Sequence, residues 1–163
     1  MNSSQTSHLF MDADPQLIYT LLMDRSTLQP LTQRSIGKAT FVYDNPDNDD
    51  RTFIWTYQFC GVKLSVTVTI EIANPGQELG MRLSGDFSGF LHWHLSPFGP
   101  STLATLTVDY QLPDGIIGML SQGFVERQVA FELMLLLKNL QSVVSQQQYL
   151  SQPASRNTLV VRR

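Results

Sequence analysis

The sequence is short of charge, of cysteine and of long apolar runs, and each shortage removes a class of function. Only 15% of the residues are Asp, Glu, Lys or Arg, against about 25% in average domains. The 11 Lys and Arg are outnumbered by 14 Asp and Glu, for a formal charge of −3. A general nucleic-acid-binding surface needs the opposite balance, so no nucleic-acid partner is expected. The single cysteine, Cys60, excludes an internal disulfide and any zinc site built on a cysteine pair. A reducing compartment is its simplest setting, and the cytoplasm is the expected location. No window approaches the roughly 18 apolar residues of a membrane span. The opening MNSSQTSHLF has no basic stretch ahead of an apolar run, so no secretory signal is expected. The Gly-x-Ser-x-Gly nucleophile elbow is missing. Gly80, Gly85 and Gly89 are spread along strand candidates rather than gathered before a helix, which leaves no phosphate cradle. No cofactor is implied.

What remains is a chain of 163 residues, 42% of them hydrophobic, enough for one domain with a substantial core. No internal repeat breaks it up. The composition changes only from Ser145, where Gln, Ser and Asn take over. The expected division is a domain over 1–144 and a polar, mobile tail over 145–163. Asp14 and Pro15 form a helix-start signal, and Leu17, Ile18, Leu21 and Leu22 then share one face of a short helix ending near Asp24. A second helical turn is expected over Ser26 to Gln29, stopped by Pro30.

From Ser35 to Leu112 the hydrophobic period is 2, the period of strands. Val62, Leu64, Val66, Val68, Ile70 and Ile72 alternate with polar residues, as do Phe53, Trp55, Tyr57 and Phe59 just before them. Further strands are expected over Glu78 to Ser84, Asp86 to Leu95 and Thr102 to Leu112, and their short connections make neighbours antiparallel. The acidic run Asp44 to Asp50 reads as a solvated hairpin loop, since the glycine and terminal glutamate of a calcium loop are missing. Beyond Gly115 the period becomes helical to about Gln146, with Val125, Val129, Leu133, Leu136, Leu140 and Val143 in one stripe. Phe124, Phe131 and Leu135 lie on a different side of that helix and suit contact with neighbouring elements, a homodimer or partner interface, or docking on a membrane surface.

The candidates for chemistry are few. His92 and His94 share one strand face and His8 lies in the first strand, but no ligand-spaced carboxylate or cysteine accompanies them, so no metal site is expected. Arg82, Asp109, Tyr57 and Tyr110 are the acid-base candidates. Arg82 and Asp109 are out of phase with their apolar neighbours and point outward by the alternation, which leaves the two tyrosines. Pro113 to Gly123, with three glycines, reads as a connection or a gate. The aromatic face carrying Phe53, Trp55, Tyr57, Phe59, Leu91, Trp93, Leu106, Val108 and Tyr110 fits either a pocket or a filled core.

The order of elements, a strand, two short helices, six antiparallel strands and a long helix, resembles the START-like superfamily of polyketide cyclases, birch-pollen-allergen-like proteins and coenzyme Q-binding proteins. The likeness is carried by DADPQLIYTLLMD, by Gly85 to Leu95 with Trp93 and the turn leading to Thr102–Tyr110, and by TVDYQLPDGIIGML; it spans about residues 6 to 144. It implies an α+β helix-grip fold, a curved antiparallel sheet of about seven strands wrapped around the long C-terminal helix. It further implies a cavity between sheet and helix, used in that superfamily for lipids, isoprenoids, sterols and polyketides. Trp55, Tyr57, Phe59, Met81, Leu91, Trp93, Leu106, Tyr110 and Leu120 are the expected lining. The expected function is binding or transport of a hydrophobic small molecule. A polyketide cyclase or dehydratase using Tyr57, Tyr110 or Arg82 is the alternative, and a partner-binding module with a filled core the third.

Overall fold

The computed structural model describes residues 2–24, 27, 41–44, 51–59 and 61–150, and for 41–44, 59 and 117 the backbone alone. Strand β1 (Asn2–Met11) and helix α1 (Pro15–Met23) come first. Strands β2 (Phe41–Asp44), β3 (Thr52–Phe59), β4 (Val62–Asn74), β5 (Glu78–Gly85), β6 (Ser88–Phe98) and β7 (Ser101–Gln111) follow. A short helix α2 (Asp114–Ile117) and a long helix α3 (Gln122–Leu150) complete the order. The seven strands form one antiparallel sheet in the order β1-β7-β6-β5-β4-β3-β2, and α3 packs on β1, β7 and α1. This is the expected α+β, helix-grip architecture. Of the two short helices expected after the first strand, the second lies outside the described residues apart from Thr27, as do most of the acidic loop and Cys60.

Local chemistry explains the elements. Asp14 caps α1, its Oδ1 accepting from the Gln16 amide at 2.7 Å, and Pro15 opens the helix. Ile18 and Leu22 are fully buried on its inner face, each such burial being worth about 1.5–3 kcal/mol. The buried Thr102 hydroxyl donates to the Ala13 carbonyl at 2.7 Å and pins the start of β7 to the turn before α1. β1 is longer than its apolar stretch Leu9 to Met11 suggests. It pairs with β7 from Asn2↔Gln111 to Met11↔Thr102, so the partner strand, not local apolarity, sets its length.

The alternation in β3 to β7 survives with one exception. The register of β4 on β5 slips between Ile70 and Ile72, a bulge that moves Ile72 to the outer face. There Gly80 lets Ile72 and Phe90 close over the backbone, since a Cβ at position 80 would sit 2.7 Å from Phe90 Cζ and 3.0 Å from Ile72 Cβ. Helix α3 buries Val125, Leu133, Leu136, Leu137, Leu140 and Val144, while Val129 and Val143 are half-buried. Two polar residues are buried with them, Glu132 and Asn139. The helix runs to Leu150, beyond the end its apolar spacing suggests, because polar side chains anchor it. Gln141 Nε2 donates to the Phe10 carbonyl at 3.0 Å and Gln148 Nε2 to that of Asp12.

Candidate functional site

The concave sheet face and the first half of α3 do not close on each other. Between them lies a cavity of about 100 Å³. One water needs only about 10–15 Å³ by the same measure, and an apolar cavity near 150 Å³ holds a benzene ring. The sheet contributes Trp55 and Tyr57 from β3, Leu64 from β4, Leu83 from β5, Leu91 from β6, and Val108 and Tyr110 from β7. Val125, Val129, Glu132, Leu133 and Leu136 form the helical wall, and Phe87 and Leu112 complete it. A smaller cluster built on Leu64 and Ile116 adjoins this wall, with Leu120 packed against it. Met119 beside it is exposed.

Within this apolar lining two polar side chains are buried without full partnership. Glu132 is 5% exposed and Tyr110 is 6% exposed. Glu132 Oε1 accepts from Gln128 Nε2 at 2.9 Å, one helical turn back. Glu132 Oε2 and the Tyr110 hydroxyl have no hydrogen-bond partner. Burial pushes the Glu132 carboxyl above the usual carboxylate range, opposed by the Gln128 hydrogen bond and by the Tyr57 hydroxyl. Burial likewise raises the Tyr110 phenol; nearby Ser3 acts against that rise and the charge of Glu126 adds to it. Unsatisfied buried polar atoms cost stability, and in native structures they concentrate where a ligand, ion or water completes them.

The expected lining divides into four. Trp55, Tyr57, Leu91 and Tyr110 border the cavity. Met81, Trp93 and Leu106 do not; they are buried in the continuous core with Leu79, Leu95 and Ala104. Leu120 belongs to the smaller adjoining cluster, and the side chain of Phe59 lies outside the described residues. Sequence reasoning missed Glu132, the most polar member of the wall, together with Leu64, Leu83 and Phe87. A signal for Glu132 was present: it stands seven residues after Val125 and four before Leu136, inside the buried stripe.

The remaining candidates sit elsewhere. Arg82 is on the outer face, where it forms a two-pronged ion pair with Glu71 and lies 5.6 Å above the Phe90 ring. This pairing, first through the side-chain hydrogen bond and then through charge, lowers the Glu71 pKa and raises that of Arg82. Asp109 is exposed. The histidine row corrects the sequence reading in one respect. Glu78, brought across from β5, shares a hydrogen bond of 2.7 Å between its Oε2 and His92 Nε2, so a carboxylate does accompany the histidines. That hydrogen bond and one from Asn74 hold the Glu78 carboxyl below its ordinary pKa. His8 and His94 are exposed, and among the described residues no three metal-ligating side chains cluster. Phe124 and Phe131 are 38% and 55% exposed, and Leu135 is half-buried. No described helix is long and apolar enough to cross a membrane.

No family sequence model and no curated protein sequence matches the chain. Solved structures do. TTHA0849 from Thermus thermophilus superposes with a TM-score of 0.71 at 20% identity, over 87% of this chain and 97% of the other. A START superfamily protein from Mycobacterium smegmatis gives 0.65 at 18% identity, over 88% and 97%. Ara h 8.0201 gives 0.64 at 10% identity, over 90% and 99%. Similarity at these identities is similarity of fold, and the chain has the START-like helix-grip fold.

Proposed function

We propose that the protein binds a hydrophobic small molecule between the sheet and α3, as a carrier or sensor in the cytoplasm. The observation that carries this reading is the cavity itself. It is apolar and about 100 Å³ in volume, and two of its polar atoms await a partner. The START superfamily neighbour supports it at the level of fold. Saturating the protein with benzene and following the methyl resonances of Leu64, Leu83, Leu91, Leu133 and Leu136 tests it. Shifts confined to those methyls, and abolished by the cavity-filling Val129→Phe, are expected. An unchanged methyl spectrum, or shifts that survive Val129→Phe, would remove the reading.

A cyclase or dehydratase is the second reading, favoured by the same two atoms, because a buried acid and a phenol in an apolar cavity are groups that transfer protons. Its mark would be turnover of a polyketone that Glu132→Gln or Tyr110→Phe abolishes while binding of that polyketone persists.

A further inference from the structure

Glu132 decides what kind of molecule the cavity accepts. Its carboxyl is enclosed by leucines, valines and aromatic rings, and none of the described lining residues is Lys, Arg or His. The titratable groups sharing the wall are Tyr57 from β3, whose hydroxyl lies against the Glu132 carboxyl, and Tyr110 from β7, and neither is a cation. An ionised carboxylate here has no counter-charge, and taking up a proton removes the cost of burying it. Because Oε1 already accepts from Gln128, the proton belongs on Oε2, the atom without a partner. A carboxylic acid kept neutral by an apolar site is a hydrogen-bond donor. The Tyr110 hydroxyl is a second unused donor on the same wall.

We infer that the cavity takes a neutral molecule with a ring-sized apolar body and a carbonyl oxygen, which accepts a hydrogen bond from Glu132, with Tyr110 as the second donor. This rests on the cavity being a ligand site. The same features select against three other classes. A pure hydrocarbon leaves both donors unpaired. A fatty acid or other carboxylate would enter an apolar space that offers no cation. An amine would require an ionised Glu132.

Four probes of matched size separate these classes when titrated into the full chain by calorimetry or NMR: acetophenone, ethylbenzene, benzoate and benzylamine. Acetophenone is expected to bind about tenfold more tightly than ethylbenzene, the worth of one hydrogen bond, and benzoate at pH 7 not measurably. Glu132→Gln still donates through its amide and should hold acetophenone within about threefold, whereas Glu132→Leu should fall to the ethylbenzene level, a loss of about tenfold. Tyr110→Phe gives an independent check, with a smaller loss for acetophenone and none for ethylbenzene; each variant is first shown to unfold cooperatively. Equal affinity for acetophenone and ethylbenzene would overturn the carbonyl assignment and leave the cavity standing. Tightest binding of benzylamine, lost in Glu132→Gln, would overturn it in favour of an ionised carboxylate. Failure of all four probes would overturn both the assignment and the ligand cavity.

Discussion

Two halves of one concave sheet face share a sequence pattern and differ in what lies on them. Leu79, Met81, Trp93 and Leu106 alternate with polar neighbours just as Trp55, Tyr57, Leu91 and Tyr110 do. The first group is buried in the core that also holds Met11, Ile18, Leu22, Leu137 and Leu140 and lines no part of the cavity, while the second borders free volume. Leu137 and Leu140 of α3 belong to that core, and α1 packs on β6 and on α3. Facing the hollow half, α3 presents two valines and a glutamate among its leucines, and no second helix among the described residues lines the space. Alternation fixes which face is buried; the reach of the opposing side chains fixes whether it is filled.

The sharpest way to break this comparison is to truncate both halves. Trp93→Ala is expected to cost about 3–5 kcal/mol, as a ring removed from a filled core does. Val129→Ala, at a half-buried position on the cavity wall, should cost under about 1.5 kcal/mol, because the space beside it is already open. Urea unfolding of the two variants checks the pair. Similar losses would mean that the two halves are equally packed.

A smaller effect of opposite sign is expected at Glu132. Glu132→Leu should stabilise the unliganded protein by about 1–3 kcal/mol, since it removes an unpartnered buried polar atom and adds apolar volume; a loss of stability would show that the carboxyl is satisfied in the fold. Acidity sharpens the point. The folded protein holds the Glu132 proton more tightly than the unfolded chain. The stability it contributes is therefore complete below the ordinary carboxylate pKa and is lost as pH rises through the raised folded value. The melting temperature of the wild type relative to Glu132→Gln should accordingly fall as pH rises through the carboxylate range, and a flat difference would count against a buried acid.

The smallest effect belongs to the outer face. Arg82→Gln breaks a solvent-exposed pair with Glu71, and exposed pairs contribute little. Benzene-induced methyl shifts are expected to be unchanged in this variant. A change there would return Arg82 to the site.

Most of the fold was legible because its signals are local and repeated. Asp14-Pro15 starts a helix by side-chain capping wherever it stands, and six alternating residues from Val62 to Ile72 have no other regular way to bury one side. The N-terminal part of β1 was not legible, since Asn2 to His8 carries no apolar pattern and becomes a strand through its pairing with β7. The bulge between Ile70 and Ile72 was equally hidden: an unbroken alternation runs through it, and the register slip exists only against β5.

The site was half legible. Trp55, Tyr57, Leu91 and Tyr110 were marked by phase and size, but so were Met81, Trp93 and Leu106, which the fold places in the core away from the cavity. Glu132 carried the opposite difficulty. A lone glutamate in a leucine-rich helix is usually turned to water, and its place within the stripe was visible only as spacing.

The sequence by itself determined the faces, because the 2-residue and 3.6-residue periods are properties of the backbone and act wherever the chain goes. It likewise determined the low charge and the single cysteine that narrow the function. Tertiary structure alone decided where apolar side chains meet and where they fall short. It also decided that Glu78 reaches His92, and that a carboxyl and a phenol face one cavity without partners. Those are relations between segments far apart in the chain, set by distance across the sheet and by the reach of side chains from the other side.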